Sequence, residues 1–307
     1  MAHATFAPHD TAACEDDALP PPDDDRIIVT IARPTDLRSA LDALADRPDA
    51  HLLLGGTDLQ VEVNLGHRRP PAIVALRRVG ELDGIEVSDE QIDIGAGVTY
   101  AQIEADLAAD APGLAMASRT VGSPQIRNLG TVGGNVGTSS PAGDALPWLL
   151  AMDAQIDLVA ADGARTMALA DFITGPKHNA RAPGEIIHRI RVPRVAGPQH
   201  VAKIGPRNAM VIAVASVAMI IDTDNRRVRV AMGSVGPTPL RPTEAETAIS
   251  QAIDWDAMTC TPEDVEAFAR ACAQHASPIT DHRSTAEYRR HAVGVLANRT
   301  LTRCLFA

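Results

Sequence analysis

The chain has 307 residues, 45% apolar and 22% charged, which suits a soluble globular protein of two domains. An aromatic content of 3% and a net charge of −11 argue against a base-stacking or polyanion-binding surface, so no nucleic-acid partner is expected. Cys14, Cys260, Cys272 and Cys304 are too scattered for a disulfide framework or a zinc site, and no metal site is expected. No signal core or membrane-length apolar run is present, so a cytoplasmic protein with ordinary thiols is expected.

Residues 1–25 carry seven acidic side chains and no Lys or Arg, and read as a disordered acidic tail. The fold is expected to begin at Arg26, with a β-branched strand over Ile27–Ile31. Thr35 is placed to N-cap a helix whose Leu37, Ala40, Leu41 and Leu44 share one face. His51–Leu54 reads as a short buried strand, followed by strands at Ala72–Leu76 and Gln91–Ile94. Thr99-x-x-Gln102 forms a capping box for a helix through Leu107. A buried helix is expected around Trp148–Met152, then strands over Ala154–Ala161 and Glu185–Val192. The turn-rich segment Pro193–Pro198 marks a domain boundary. Beyond it, Val211–Asp222 and Arg226–Ser234 form an antiparallel hairpin, and helices start at Thr261-Pro262 and at a capping box Ser284-x-x-Glu287.

Two glycine pairs stand out: Leu52-Leu53-Leu54-Gly55-Gly56-Thr57-Asp58-Leu59 and Thr131-Val132-Gly133-Gly134-Asn135. Turns without β-carbons let a ligand approach bare backbone N–H groups, and flanking hydroxyl and amide groups add donors for anionic oxygens. Two such turns can grip a pyrophosphate from both sides. Gly95-Ala-Gly97 is not a dinucleotide fingerprint, because Tyr100 stands where the third glycine belongs, and no Walker lysine follows any glycine run.

The run Pro124-Gln-Ile-Arg-Asn-Leu-Gly-Thr-Val-Gly-Gly-Asn135, followed by Ser139-Ser-Pro-Ala-Gly-Asp144, resembles the FAD-binding subunit of the molybdenum hydroxylase family, which includes xanthine and carbon monoxide dehydrogenases. Gly55-Gly56-Thr57-Asp58 matches that family's first flavin loop, and Lys203 to Ala213 and Ser284 to Arg290 are similar to its C-terminal signatures. The resemblance implies an α+β chain. A two-subdomain FAD-binding fold of the PCMH (vanillyl-alcohol oxidase-like) type would cover residues 26–197, split near 75–85, with a small α+β domain over 198–307. It implies that Leu52–Leu59, Thr131, Gly134 and Asn135 hold the FAD pyrophosphate and ribityl chain. Asp144 would contact the nucleotide part, Ile187 and Val121 would line the cofactor, and Lys203 would lie near the isoalloxazine. Leu54 departs from the alanine many members place there.

Read locally, Asp58 can equally shape its own turn, Asp144 can cap the next helix and Lys203 can be a solvated lysine. Arg127 is expected to pair with an acid. His178, His188 and His200 are expected to be structural or exposed, and Arg289-Arg290 solvated or subunit-facing.

No cysteine pattern here can hold an iron–sulfur cluster. The resemblance therefore implies a relay subunit. A small [2Fe–2S] subunit and a large molybdenum-pterin subunit would be its partners in a dimer of heterotrimers, with NAD, oxygen or quinone as small-molecule acceptor. A stand-alone flavin oxidoreductase of the same fold, or a non-catalytic assembly subunit, are the alternatives.

Overall fold

The structure, a computed structural model, describes residues 29–306. The expected acidic tail, Cys14 and the first residues of the predicted opening strand lie outside the described residues. Strands β1 (Thr30–Ala32), β2 (His51–Leu53) and β3 (Ala72–Ala75) form a parallel sheet in the order β1-β3-β2. Helix α1 (Leu37–Asp46) buries Ala40, Leu41 and Leu44 beside that sheet. Its N-cap is Asp36 rather than Thr35: the Asp36 carboxylate accepts from the Ser39 N–H at 2.8 Å. Strand β2 is half-buried rather than buried, because its outward face borders a cleft. Helix α2 (Leu59–Asn64) follows directly from the first glycine pair.

A second sheet is antiparallel, ordered β4-β5-β10-β6-β7: β4 (Ile85–Val87), β5 (Gln91–Gly95), β6 (Gln155–Ala160), β7 (Gly163–Ala168) and β10 (Ile186–Pro193). Between its strands run α3 (Tyr100–Asp106), α4 (Pro112–Arg119), α5 (Pro124–Leu129), α6 (Val132–Thr138), α7 (Leu146–Ala151) and α8 (Leu169–Phe172). A small hairpin joins β8 (Ile173–Gly175) to β9 (His178–Asn179). The expected capping box of α3 is complete, with Gln102 bonding back to the Thr99 N–H at 2.9 Å.

The C-terminal part carries a third, antiparallel sheet of β11 (Gln199–Ile204), β12 (Ala215–Asp222) and β13 (Arg227–Gly233). Helices α9 (Thr243–Ala252), α10 (Pro262–His275) and α11 (Ala286–Leu305) complete it. The expected hairpin is β12–β13, although β12 starts at Ala215 because residues 211–214 remain in a loop beside the cleft. Every residue of β12 is buried, since both faces of this strand are covered. Val217, Met219 and Ile221 join the core under the C-terminal helices, whereas Ala218 and Ile220 join the large core that contains Trp148. The cap of α11 is Thr285, one residue later than expected, accepting from the Tyr288 N–H at 3.2 Å. Arg289 is buried, not solvated. It donates to the carbonyls of Val214 (3.0 Å) and Ser234 (2.9 Å) and to Asp281 (2.7 Å), pinning α11 to the sheet. Arg290 is exposed.

Candidate functional site

Both glycine segments meet at one cleft, but their glycines serve different ends. A β-carbon at Gly55 would lie 1.9 Å from the Leu129 carbonyl oxygen, so Gly55 lets the first loop close onto the end of α5. A β-carbon at Gly133 would lie 2.5 Å from that of Ala96, so Gly133 lets α6 pack on the loop after β5. Their neighbours face the opening. Gly56 adopts φ +71°, and Gly134 would meet only the Thr131 hydroxyl at 3.0 Å.

The second pair is therefore not a turn, as its sequence implies, but the first turn of α6, N-capped by Thr131. Its backbone donors are spent. Val132 N–H donates to Val98 O, Gly133 to Ala96 O and Asn135 to Thr131 O, each at 3.0 Å, and Gly134 to Thr131 Oγ1 at 3.0 Å. The expectation that these N–H groups neutralise a pyrophosphate is corrected accordingly. The first loop is the reverse. Among the described residues, none of the N–H groups of Gly55, Gly56, Thr57, Asp58 and Leu59 reaches an acceptor in the chain. Successive unpaired donors of this kind form an anion-binding concavity. The two segments are tied by the Thr138 hydroxyl, which donates to Asp58 Oδ2 at 3.2 Å. Asp58 makes no side-chain cap bond to α2.

This loop divides the cleft into two connected chambers that share Leu52, Leu54, Asp58, Leu59, Gly134 and Thr138. The larger, about 590 Å³, is walled by the whole Leu52–Leu59 loop with Val121, Thr131, Gly134, Asn135 and Asp144, and extends to Met210–Ile212. The smaller, about 360 Å³, contains Ile187, aimed there beside a β-bulge of β10, together with His51, Arg68, Lys177 and Arg181. Leu54, the family departure, packs against two of the cores and lines both chambers.

Lys203 lies on neither wall. From β11 its ammonium donates to Asp144 Oδ2 at 2.7 Å and to the Thr120 carbonyl at 3.1 Å, with 7% of the side chain exposed. Asp144 and Lys203, which the resemblance assigns to the nucleotide part and the neighbourhood of the isoalloxazine, are therefore side by side, with only Asp144 on a cleft wall. Burial pushes the Asp144 carboxyl up to about 6, against the pull of the Lys203 ammonium. Asp144 does not cap α7, whose N-cap is Ala145 without a side-chain bond. Arg127 pairs with Glu104 at 3.4 Å, as expected.

The residues present fit a ligand rich in hydroxyl and anionic oxygens. Asn135 Oδ1, Asp144 Oδ1 and the Tyr100 hydroxyl are buried on the wall of the larger chamber without a hydrogen-bond partner among the described residues. Burial, with Asp144 and Asp58 nearby, pushes the Tyr100 hydroxyl well above its ordinary value, so it stays a donor. Tyr100, Thr138 and the basic residues of the smaller chamber, His51, Arg68, Lys177 and Arg181, escaped sequence reading. Thr138 at the far end of the glycine-rich run was the single local signal. No cluster of His, Cys, Asp and Glu that could hold a metal ion occurs among the described residues, and no helix there is long and apolar enough to cross a membrane. His178 is exposed, its Nδ1 2.8 Å from the Pro176 carbonyl, and His200 lies 3.2 Å from Arg303.

Residues 27–195 match the FAD binding domain in molybdopterin dehydrogenase, and residues 200–304 match the CO dehydrogenase flavoprotein C-terminal domain. The chain belongs to the FAD-binding subunits of the molybdenum hydroxylase family. It is 32% identical over 270 residues to the glyceraldehyde dehydrogenase medium chain of Sulfolobus acidocaldarius, covering 86% of this chain and 94% of that one. It is 30% identical over 262 residues to the carbon monoxide dehydrogenase medium chain of Afipia carboxidovorans, covering 83% and 88%. In three dimensions it is similar to reconstituted CO dehydrogenase from Oligotropha carboxidovorans, with a TM-score of 0.83 at 26% identity over 90% of this chain and 97% of that chain. This family membership makes the chain a FAD-binding oxidoreductase subunit with the expected α+β fold.

Proposed function

We propose that this subunit relays electrons within a multi-subunit molybdenum hydroxylase. Substrate is oxidised at a molybdenum-pterin centre on a large partner, electrons pass through [2Fe–2S] clusters of a small partner to FAD on this chain, and leave to NAD, oxygen or quinone. FAD supplies the redox chemistry when bound. The chain's own residues bind and orient it.

The observation that carries the reading is the run of five unspent N–H donors at 55–59, which lines the larger chamber and reaches the junction with the smaller one at Asp58 and Leu59. A pyrophosphate held there leaves room for one end group on each side. The larger chamber suits the tricyclic ring system and the smaller the adenosine half. Asn135, Tyr100 and Asp144 would bond ribityl hydroxyls or ring heteroatoms, while Lys203 keeps the Asp144 carboxylate oriented from behind. Exposed apolar side chains, Val61, Ile126, Met210 and Ile212, rim the larger chamber and support a partner surface there. The domain division at 197/198, with a split near 75–85, belongs to the same reading.

Purified full-length chain reconstituted with FAD should absorb at about 370 and about 450 nm with about one flavin per chain. A colourless product overturns the proposal. Purification of the native complex should bring down iron- and molybdenum-carrying subunits, and a chain that purifies alone with substrate turnover favours a stand-alone flavin oxidoreductase.

A further inference from the structure

We propose that Arg181 is the counter-cation for the adenosine-side phosphate of the dinucleotide, and so selects FAD over FMN. The inference rests on the FAD reading above. The basic side chains of the described cleft are all on the smaller chamber: the larger chamber's wall carries no Lys, Arg or His. Two of the basic groups already have an ion-pair partner, though only one between them. Lys177 and Arg68 share Glu62, at 2.5 and 3.1 Å. Arg181 has no carboxylate within ion-pair distance among the described residues. Its Nη1 donates to the carbonyls of Glu185 (2.8 Å) and Ala182 (3.4 Å), which leaves the other guanidinium donors unspent. The nearest carboxylate, Glu185, is itself committed to Arg165 at 2.6 and 2.9 Å and to the Ala182 N–H at 2.6 Å.

A half-buried guanidinium without a carboxylate is an unfavourable arrangement that an anion relieves. Burial pulls the Arg181 guanidinium below its ordinary value, in keeping with a charge awaiting its partner. The phosphate nearer the adenosine is the ligand anion that would lie on this side of the 55–59 donors. The flavin-side phosphate, which FMN also has, lies toward the larger chamber. Arg181 thus reads the second phosphate, and its fork geometry is suited to two phosphate oxygens.

The test uses full-length wild type, Arg181→Gln and Arg181→Lys, with circular dichroism confirming that each folds. Dissociation constants are measured by flavin fluorescence for FAD, FMN and riboflavin, and by competition for ADP and adenosine. Arg181→Gln should weaken FAD and ADP at least about tenfold and leave FMN, riboflavin and adenosine unchanged, with Arg181→Lys intermediate. Equal FAD affinity in wild type and Arg181→Gln overturns the inference alone. So does equal weakening of all ligands, which marks a structural role, or of adenosine as much as ADP, which marks stacking on the base. Wild type that binds no FAD overturns the FAD reading and this inference with it.

Discussion

Lys203 Nζ lies 2.7 Å from Asp144 Oδ2, so a residue of the C-terminal sheet holds an acid on the cleft wall of the N-terminal part. The pair joins two regions 59 residues apart in sequence, and leaves the buried Asp144 Oδ1 without a hydrogen-bond partner among the described residues.

The Asp144 carboxyl, raised to about 6 by burial, sits above its ordinary 3.8. The native state thus holds this proton more tightly than the unfolded chain, a contribution to stability fully present below about pH 4 and lost as pH rises through about 6. In urea melts, the stability of wild type relative to Asp144→Asn should fall as pH goes from about 4 to about 7. A difference that stays flat or rises across this window refutes the shift.

The two glycines of each pair should separate fold from site. Gly55→Ala and Gly133→Ala force contacts of 1.9 and 2.5 Å and should each cost at least about 2 kcal/mol in denaturant melts. Gly134→Ala adds a methyl group near Thr131 Oγ1 alone and replaces a helical glycine, so stability should hold within about 1 kcal/mol while FAD affinity drops. Equal stability loss in all three variants would overturn this division.

Asp222 and Arg229, 1% and 3% exposed, form a buried ion pair at 3.1 Å that Arg229 extends to Asp153 at 2.6 Å. Burial alone would raise the Asp222 carboxyl, but bonds from Arg227, Asn225 and Arg229 outweigh it and hold the group below its ordinary value. Its stabilisation is present above about pH 4 and is lost as pH falls through the lowered folded value. Asp222→Asn leaves Arg229 buried without this partner and should cost about 3 kcal/mol at pH 7, with a smaller penalty in acid. A penalty that does not shrink in acid would refute the assignment.

Burial pushes the thiols of Cys272 and Cys304 up to about 12. In the folded protein both should resist iodoacetamide at pH 8 and label fully in denaturant, as read by peptide mass spectrometry. Labelling of either at the rate of a free thiol would contradict their packing.

Elements with local signals were legible in the sequence. The capping box at Thr99 and the proline start at Pro262 act within four residues, and the β12–β13 hairpin follows from two apolar runs around one polar turn. Elements without such signals were not. Helix α5 buries no residue, so it carries no apolar stripe, and β7 is a largely exposed strand at a sheet edge. Caps at Asp36 and Thr285 fell one residue from Thr35 and Ser284, because neighbouring side chains have the same capping chemistry and only the chain direction at the helix entry chooses between them.

By itself the sequence determined the chemistry available: two glycine pairs with flanking hydroxyls, an acid at 144 and a lysine at 203, in an order that resembles one family. These are properties of residue type and spacing. Which backbone donors remain free was decided only by the tertiary structure. The carbonyls that occupy the N–H groups of Val132 and Gly133 come from Val98 and Ala96, more than thirty residues earlier, whereas nothing in the described chain reaches those of 55–59. The same holds for charge. A lysine becomes the support of Asp144, and Arg181 a cation without a carboxylate, through which strands the folded chain lays side by side.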